Sequence, residues 1–183
     1  MSSMYGICDI WKELQGITGK KDLAAVIVRE VGQFSLVDLQ TFRGAIEREL
    51  RHLPPHYRKK LYPKMKEQIF GTHHRLLLMH RSGELGHISG ALSDRFGDFC
   101  VMVERACSSC SGVDDQRREL LYYLLAAFNI FVMDLPGHPV GTPFPGGFEV
   151  QMQFGEYLCP IRDKEDEVET SICPFCRAKQ AVL

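Results

Sequence analysis

Seven cysteines stand in this chain of 183 residues, and five of them fall between Cys107 and Cys176. Four of those five form two pairs, Cys107-Ser-Ser-Cys110 and Cys173-Pro-Phe-Cys176. A two-residue spacing lets both sulfurs reach one ion, and the tight turn between them aims backbone amides at the thiolates. Cys159, also followed by proline, adds a sulfur close to the terminal pair. A tetrahedral ion needs four ligands. Cys159, Cys173 and Cys176 would be completed by Cys107, Cys110 or His138. Alternatively, the two pairs supply all four ligands and Cys159 stays nearby but uncoordinated. Zinc is the expected metal, because soft thiolates in a closed site suit it, and an iron–sulfur cluster is the alternative that accepts the same donors.

Other readings compete with metal binding. Buried cysteine packs as a small hydrophobe, the role expected for Cys8 and Cys100. A redox dithiol favours a helix N-terminus, where the dipole lowers the thiol pKa. Cys107 and Cys110 fall instead near the end of an expected helix, where the dipole opposes a thiolate. The cysteine count is odd, and Met1 to Gly16 lacks the pattern of a charged segment followed by an apolar one. A reducing compartment, the cytoplasm, is therefore expected rather than a disulfide framework.

Weaker candidates lie elsewhere. Glu84 and His87 have the spacing used in di-iron bundles, but such sites need two of these motifs and the sequence has one. They read as a surface pair. His73, His74 and His80 share one helix yet do not share one face. The segment from Gly137 to Gly147 is a possible ligand-contacting loop, with His138 and Thr142 as its polar contributors. It lacks the lysine and glycine spacing of a phosphate cradle. No Ser-His-Asp or Cys-His arrangement is suggested by spacing.

Helices must position these groups. Apolar residues at Leu23, Val26, Ile27 and Val31 follow helical periodicity, and Gly32 closes that segment. Ser35 followed by Asp38 resembles a capping box, and Leu39, Phe42, Ile46, Leu50 and Leu53 then line one face until Pro54-Pro55 ends the run. Pro63 is placed as the first residue of a helix reaching about Arg81. A further helix is expected to carry Leu85, Ile88, Leu92, Phe96, Phe99, Val103 and Ala106 and to stop at Gly112. Asp114 or Asp115 would cap an apolar helix ending near Met133. After Leu135 prolines and glycines replace the periodicity. Alternation from Phe148 to Phe154, then Gly155-Glu156 and Tyr157-Leu158, reads as a β-hairpin leading into Cys159.

The fold class is therefore mainly α: a bundle of about five or six helices over residues 1–135. Residues 136–183 hold a Pro/Gly loop, a short hairpin and a cysteine knuckle packed on the same domain. The formal net charge of −1 gives no overall pull toward nucleic acid or anionic lipid. The basic stretch His56 to Lys60 fits a solvated helix face. The longest apolar run, Leu120 to Met133, is interrupted by Asn129 and falls short of a bilayer span. The expected partner is a protein or small molecule, without nucleic acid and without a membrane.

Four segments together, Pro54-Pro-His-Tyr-Arg-Lys-Lys60, Gly137 to Phe148, Tyr157-Leu-Cys-Pro-Ile161 and Cys173-Pro-Phe-Cys176, resemble an uncharacterised protein family of methanogenic archaea. The likeness runs over about residues 50 to 183 and is clearest after Gly137. It brings no catalytic residue with it. It implies a cytoplasmic archaeal protein of anaerobic habitat, in which an oxygen-sensitive cluster would survive.

Overall fold

Ser35 and Asp38 start a helix by satisfying each other's backbone. Asp38 N donates to Ser35 Oγ at 3.2 Å, and Ser35 N donates to Asp38 Oδ2 at 2.7 Å. This reciprocal cap pairs donors that a helix N-terminus otherwise leaves bare. The computed structural model describes residues 7–165 and 167–182, without the side chains of Ile7 and Cys8. The core role expected for Cys8 lies outside the described residues.

The helical segments are α1 (Ile7–Gln15), α2 (Lys20–Val31), α3 (Leu36–Leu50), α4 (Pro55–Lys66), α5 (Thr72–Ser82), α6 (Phe96–Ser108) and α7 (Val113–Ala127). A π-helical segment, Glu67–Gly71, joins α4 to α5 without a break, and a second, Phe128–Val132, extends α7. Counted as continuous rods, the described residues form six helices, within the expected range.

Three boundaries differ from the sequence reading. Helix α4 begins at Pro55 rather than Pro63. Pro55 occupies the first turn, where a missing N–H costs nothing, while Pro63 sits inside the helix. The single long helix expected from Leu85 to Ala106 is a 3-10 turn, Glu84–His87, then irregular chain, then α6. Gly90, with φ of 111°, adopts a conformation no helix contains, and its carbonyl accepts the N–H of Lys20 at 3.0 Å. The third concerns α7: Gly112 is its N-cap, and Asp114 and Asp115 lie within the first turn, where their charges favour the dipole without capping it.

Helix α1 was absent from the periodicity reading, although Trp11 and Leu14 are completely buried. Trp11 meets Phe99 of α6 edge-on at 6.0 Å. Phe99 in turn contacts Phe131 at 5.1 Å, and Phe96 contacts Phe131 at 5.0 Å. Leu23, Ile27, Leu76, Leu121, Leu124 and Phe128 fill the rest of this interior. Each such side chain contributes about 1.5–3 kcal/mol when removed from water. Arg118–Glu49 at 2.6 Å and Arg117–Asp38 at 3.1 Å link α7 to α3 at the surface, where ion pairs contribute at most about 1 kcal/mol each. Among the described residues no helix is long and apolar enough to cross a membrane.

The C-terminal lobe carries two small sheets. Strand β1 (Pro143–Phe144) pairs antiparallel with β2 (Phe148–Glu149). Strand β3 (Gln151–Gln153) pairs antiparallel with β4 (Glu156–Cys159), which confirms the expected hairpin. Phe154 and Gly155 both have positive φ, as a type I′ turn requires. Strand β5 (Lys179–Gln180) adds to β4 in parallel, a pairing with no sequence signature. Val150, Cys159 and Ala178 form a second, minor core under this sheet.

Candidate metal centre

Residues 170–175 reach from the lobe into the helical core. Ile172 is buried there, and Phe175 packs edge-on against Phe99 at 5.3 Å. Arg95 lies over the Phe175 ring at 5.2 Å and donates to the Pro174 carbonyl. Tyr123 Oη donates to the Thr170 carbonyl at 2.8 Å. Burial of Ile172 and Phe175 contributes on the order of 3–5 kcal/mol, so apolar contact and these hydrogen bonds fasten the segment bearing Cys173 and Cys176 without a metal.

Three of the five cysteines singled out from sequence come together here. Cys173 opens a 3-10 turn, Cys173–Phe175, and Cys176 follows it, with its N–H donating to the Cys173 carbonyl at 3.0 Å. Cys159 ends β4, one strand away from β5. Burial pushes the Cys173 thiol up to about 11; the Ser171 side chain opposes this, and negative charge on Cys159 or Cys176 would add to it. Burial also raises Cys159, opposed by the Ile161 N–H and reinforced by Cys176. The three sulfurs thus lie near enough for a charge on one to disfavour a charge on the next.

Backbone amides act on two of these sulfurs, those of Cys159 and Cys176. The backbone N–H groups of Ile161 and Arg162 lower the Cys159 thiol pKa against the effect of its burial. Cys176 Sγ accepts from Gly137 N at 3.2 Å and from Ala178 N at 3.4 Å. The charge of Arg162 also favours a Cys159 thiolate, and its Nη2 donates to the Pro174 carbonyl at 3.2 Å. Gly137 approaches so closely that a Cβ there would stand 2.6 Å from Ile172 Cδ1. Only glycine lets the amide reach the sulfur while Ile172 stays in place.

The other candidates are placed differently. Cys107 is buried near the end of α6 in the main core. Cys110 lies beyond that helix, where its Sγ donates to the Ala106 carbonyl at 3.6 Å. Burial, then Glu119 and Asp115, raise its thiol pKa. His138 follows Gly137, and its ring meets Phe144 edge-on at 5.8 Å; burial holds the imidazole down at about 4. The Cys100 thiol is completely buried and pushed up to about 12 by that burial, in keeping with a packing role. All six described cysteines are free thiols. Among the described residues no group of three or more His, Cys, Asp or Glu side chains is arranged to hold a metal ion.

One polar cluster escaped the sequence reading. Arg75, Asn129 and Thr72 are joined by hydrogen bonds beside a cavity between the helices and the Pro/Gly loop. Asn129 stood out in sequence only as a polar interruption of an apolar run. Arg75 lies 54 residues away in the chain, so no local pattern connects the two.

A helical core with a cysteine-bearing C-terminal lobe defines the class of protein. The chain belongs to the family DUF2115, described as uncharacterised proteins conserved in archaea, whose model matches residues 19–181. The match extends through the N-terminal third, beyond the span on which the sequence likeness rested. A relative from Methanothermobacter thermautotrophicus, named UPF0305 protein, is 24% identical over 84% of this chain and 92% of its own length. A UPF0305 protein of Methanocaldococcus jannaschii is 25% identical over 87% of this chain and 94% of its own. A third, from Methanopyrus kandleri, is 42% identical over a shorter stretch, 33% of this chain and 44% of its own. No solved structure matches the chain.

Proposed function

We propose that Cys159, Cys173 and Cys176 bind a soft metal ion, zinc first, and that the protein is a metal-stabilised binding or regulatory module. The convergence of three thiols from two separate chain segments, with backbone amides directed at the Cys159 and Cys176 sulfurs, carries this reading. Metal binding would release the thiol protons and draw the sulfurs into coordinating geometry. His138 is the nearest candidate in sequence for a fourth donor, since it adjoins the residue whose amide meets Cys176. Cys107 or Cys110 would have to reach across from α6.

A redox dithiol is less well supported, because thiols raised by burial are poor nucleophiles at neutral pH. An iron–sulfur cluster on the same sulfurs remains the second reading, with electron transfer as its function. Metal analysis and an absorption spectrum of anaerobically purified protein separate the two. Colourless protein with bound zinc, reduced in Cys173→Ser/Cys176→Ser, is the expected result. Visible charge-transfer bands would favour the cluster, and unchanged metal stoichiometry in the double variant would remove both.

A further inference from the structure

The two π-helical segments face a common cavity of about 380 Å³. Extra residues of this kind within helices recur at functional sites, because they turn side chains that a regular helix would point elsewhere. Thr72 and Arg75 follow the first π segment, and Asn129 lies within the second. Asn129 Nδ2 donates to Thr72 Oγ1 at 3.0 Å, and Arg75 Nη2 donates to Asn129 Oδ1 at 2.6 Å. That is the one hydrogen bond the Arg75 guanidinium makes among the described residues. Its Nε is enclosed and has no partner, and its guanidinium lies 5.9 Å from the Phe128 ring centroid.

A partly buried guanidinium normally has a carboxylate beside it, because removing its charge from water costs several kcal/mol. Among the described residues no carboxylate forms an ion pair with Arg75. Glu67 also lines the cavity, but its carboxylate is engaged by Lys64 at 2.9 Å. Pro136, Pro139 and Val140 of the Pro/Gly loop form an apolar wall opposite. The cavity falls in the size range of small-molecule sites and has their usual make-up, apolar walls with a few converging polar groups.

The geometry points to a binding site for a small organic anion, a carboxylate or phosphate monoester, with Arg75 as its charge partner and the Pro/Gly loop against its apolar part. Asn129 and Thr72 orient the guanidinium, which offers a planar fork matched to either oxyanion. This site is separate from the thiol cluster and stands whether or not a metal binds there.

Isothermal titration with inorganic phosphate, phenyl phosphate and benzoate, against chloride at equal ionic strength, tests it. Saturable binding of at least one oxyanion is expected, weakened about 10- to 100-fold in Arg75→Met, as loss of a charged hydrogen-bonding partner implies. Binding of benzoate alone, or of the phosphates alone, assigns the class of ligand. The Arg75→Met variant relieves an unpaired charge and should melt no lower than the parent. Because this variant leaves Asn129 with a missing donor, Arg75→Lys serves as a second: it keeps the charge, loses the fork, and should bind with intermediate affinity. No saturable binding of any of the three anions, or equal binding in the parent and both variants, overturns the proposal.

Discussion

Phe175, held between the two terminal cysteines, meets Phe99 of α6 edge-on at a centroid distance of 5.3 Å. The most chemically distinctive segment of the chain is thereby tied to the ring that also contacts Trp11 and Phe131. Phe175→Ala should cost about 2–3 kcal/mol, below the full range for a completely buried phenylalanine because this ring is partly exposed. Urea denaturation followed by tryptophan fluorescence measures it, since Trp11 reports on the same core. A loss under about 0.5 kcal/mol would mean that the tail is not fastened through this ring.

Serine substitutions distinguish the cysteine groups. Cys159→Ser should lower bound metal as Cys173→Ser does, whereas Cys107→Ser with Cys110→Ser should leave it unchanged if the three C-terminal sulfurs suffice. Metal content determined by mass spectrometry on each purified variant decides this. Loss of metal in the Cys107/Cys110 variant would restore the four-cysteine ligand set.

Gly137→Ala should destabilise the fold by about 1–3 kcal/mol, the usual cost of forcing an extra carbon into a packed interior. The added methyl would meet Ile172, which is 2% exposed and has little room to turn away. A thermal melt of the variant reads the effect, and an unchanged midpoint would show that Ile172 moves freely.

Glu119 gives a pH-dependent prediction. Burial raises its carboxyl above the ordinary 4.5, with Arg118 acting in the opposite direction. The folded protein therefore holds this proton at pH values where the unfolded chain has released it. Stability from this group is complete below about 4.5 and is lost as pH rises through the folded value. Glu119→Gln should match the parent near pH 4 and exceed it in stability at pH 7. Denaturation curves at the two pH values test the sign, and a variant less stable at pH 7 would contradict it.

Ser35→Ala removes one half of the capping box and should cost about 1 kcal/mol. Chemical denaturation is again the measurement. A neutral result would mean that the Asp38 carboxylate, which also accepts from the Ser35 backbone N–H, holds the helix start by itself.

The sequence was most informative where the signal is local. The Ser35–Asp38 cap, the periodic face through Phe42, Ile46 and Leu50, the close of α2 at Gly32, and the hairpin leading into Cys159 are each specified by a few consecutive residues. The first helix is hard to discern although Ile10, Trp11 and Leu14 have helical spacing, because the mixed composition around them obscures a short pattern. Gly90 does not interrupt the periodic pattern, because one glycine can be tolerated in a helix, and the bend there is fixed by its contact with Lys20. Cys159, Cys173 and Cys176 were legible as a group from their proximity in sequence. The Arg75–Asn129 pair was not, since it depends on two distant helices being turned toward each other.

Those turns have a consequence for how the chain tolerates change in length. In each π segment an N–H reaches back five residues, as Met133 N does to the Phe128 carbonyl at 3.0 Å. One residue removed from 67–71 would let the rod relax to regular α-helix at small local cost. The wider turn spreads one extra residue over nearly the same rotation, so every side chain after it would keep its direction. Leu76 would stay turned to the interior and Arg75 toward Asn129, in a rod one residue shorter. A residue removed from α5 itself, where no wide turn can absorb it, would instead swing the side chains beyond it by about 100° around the axis.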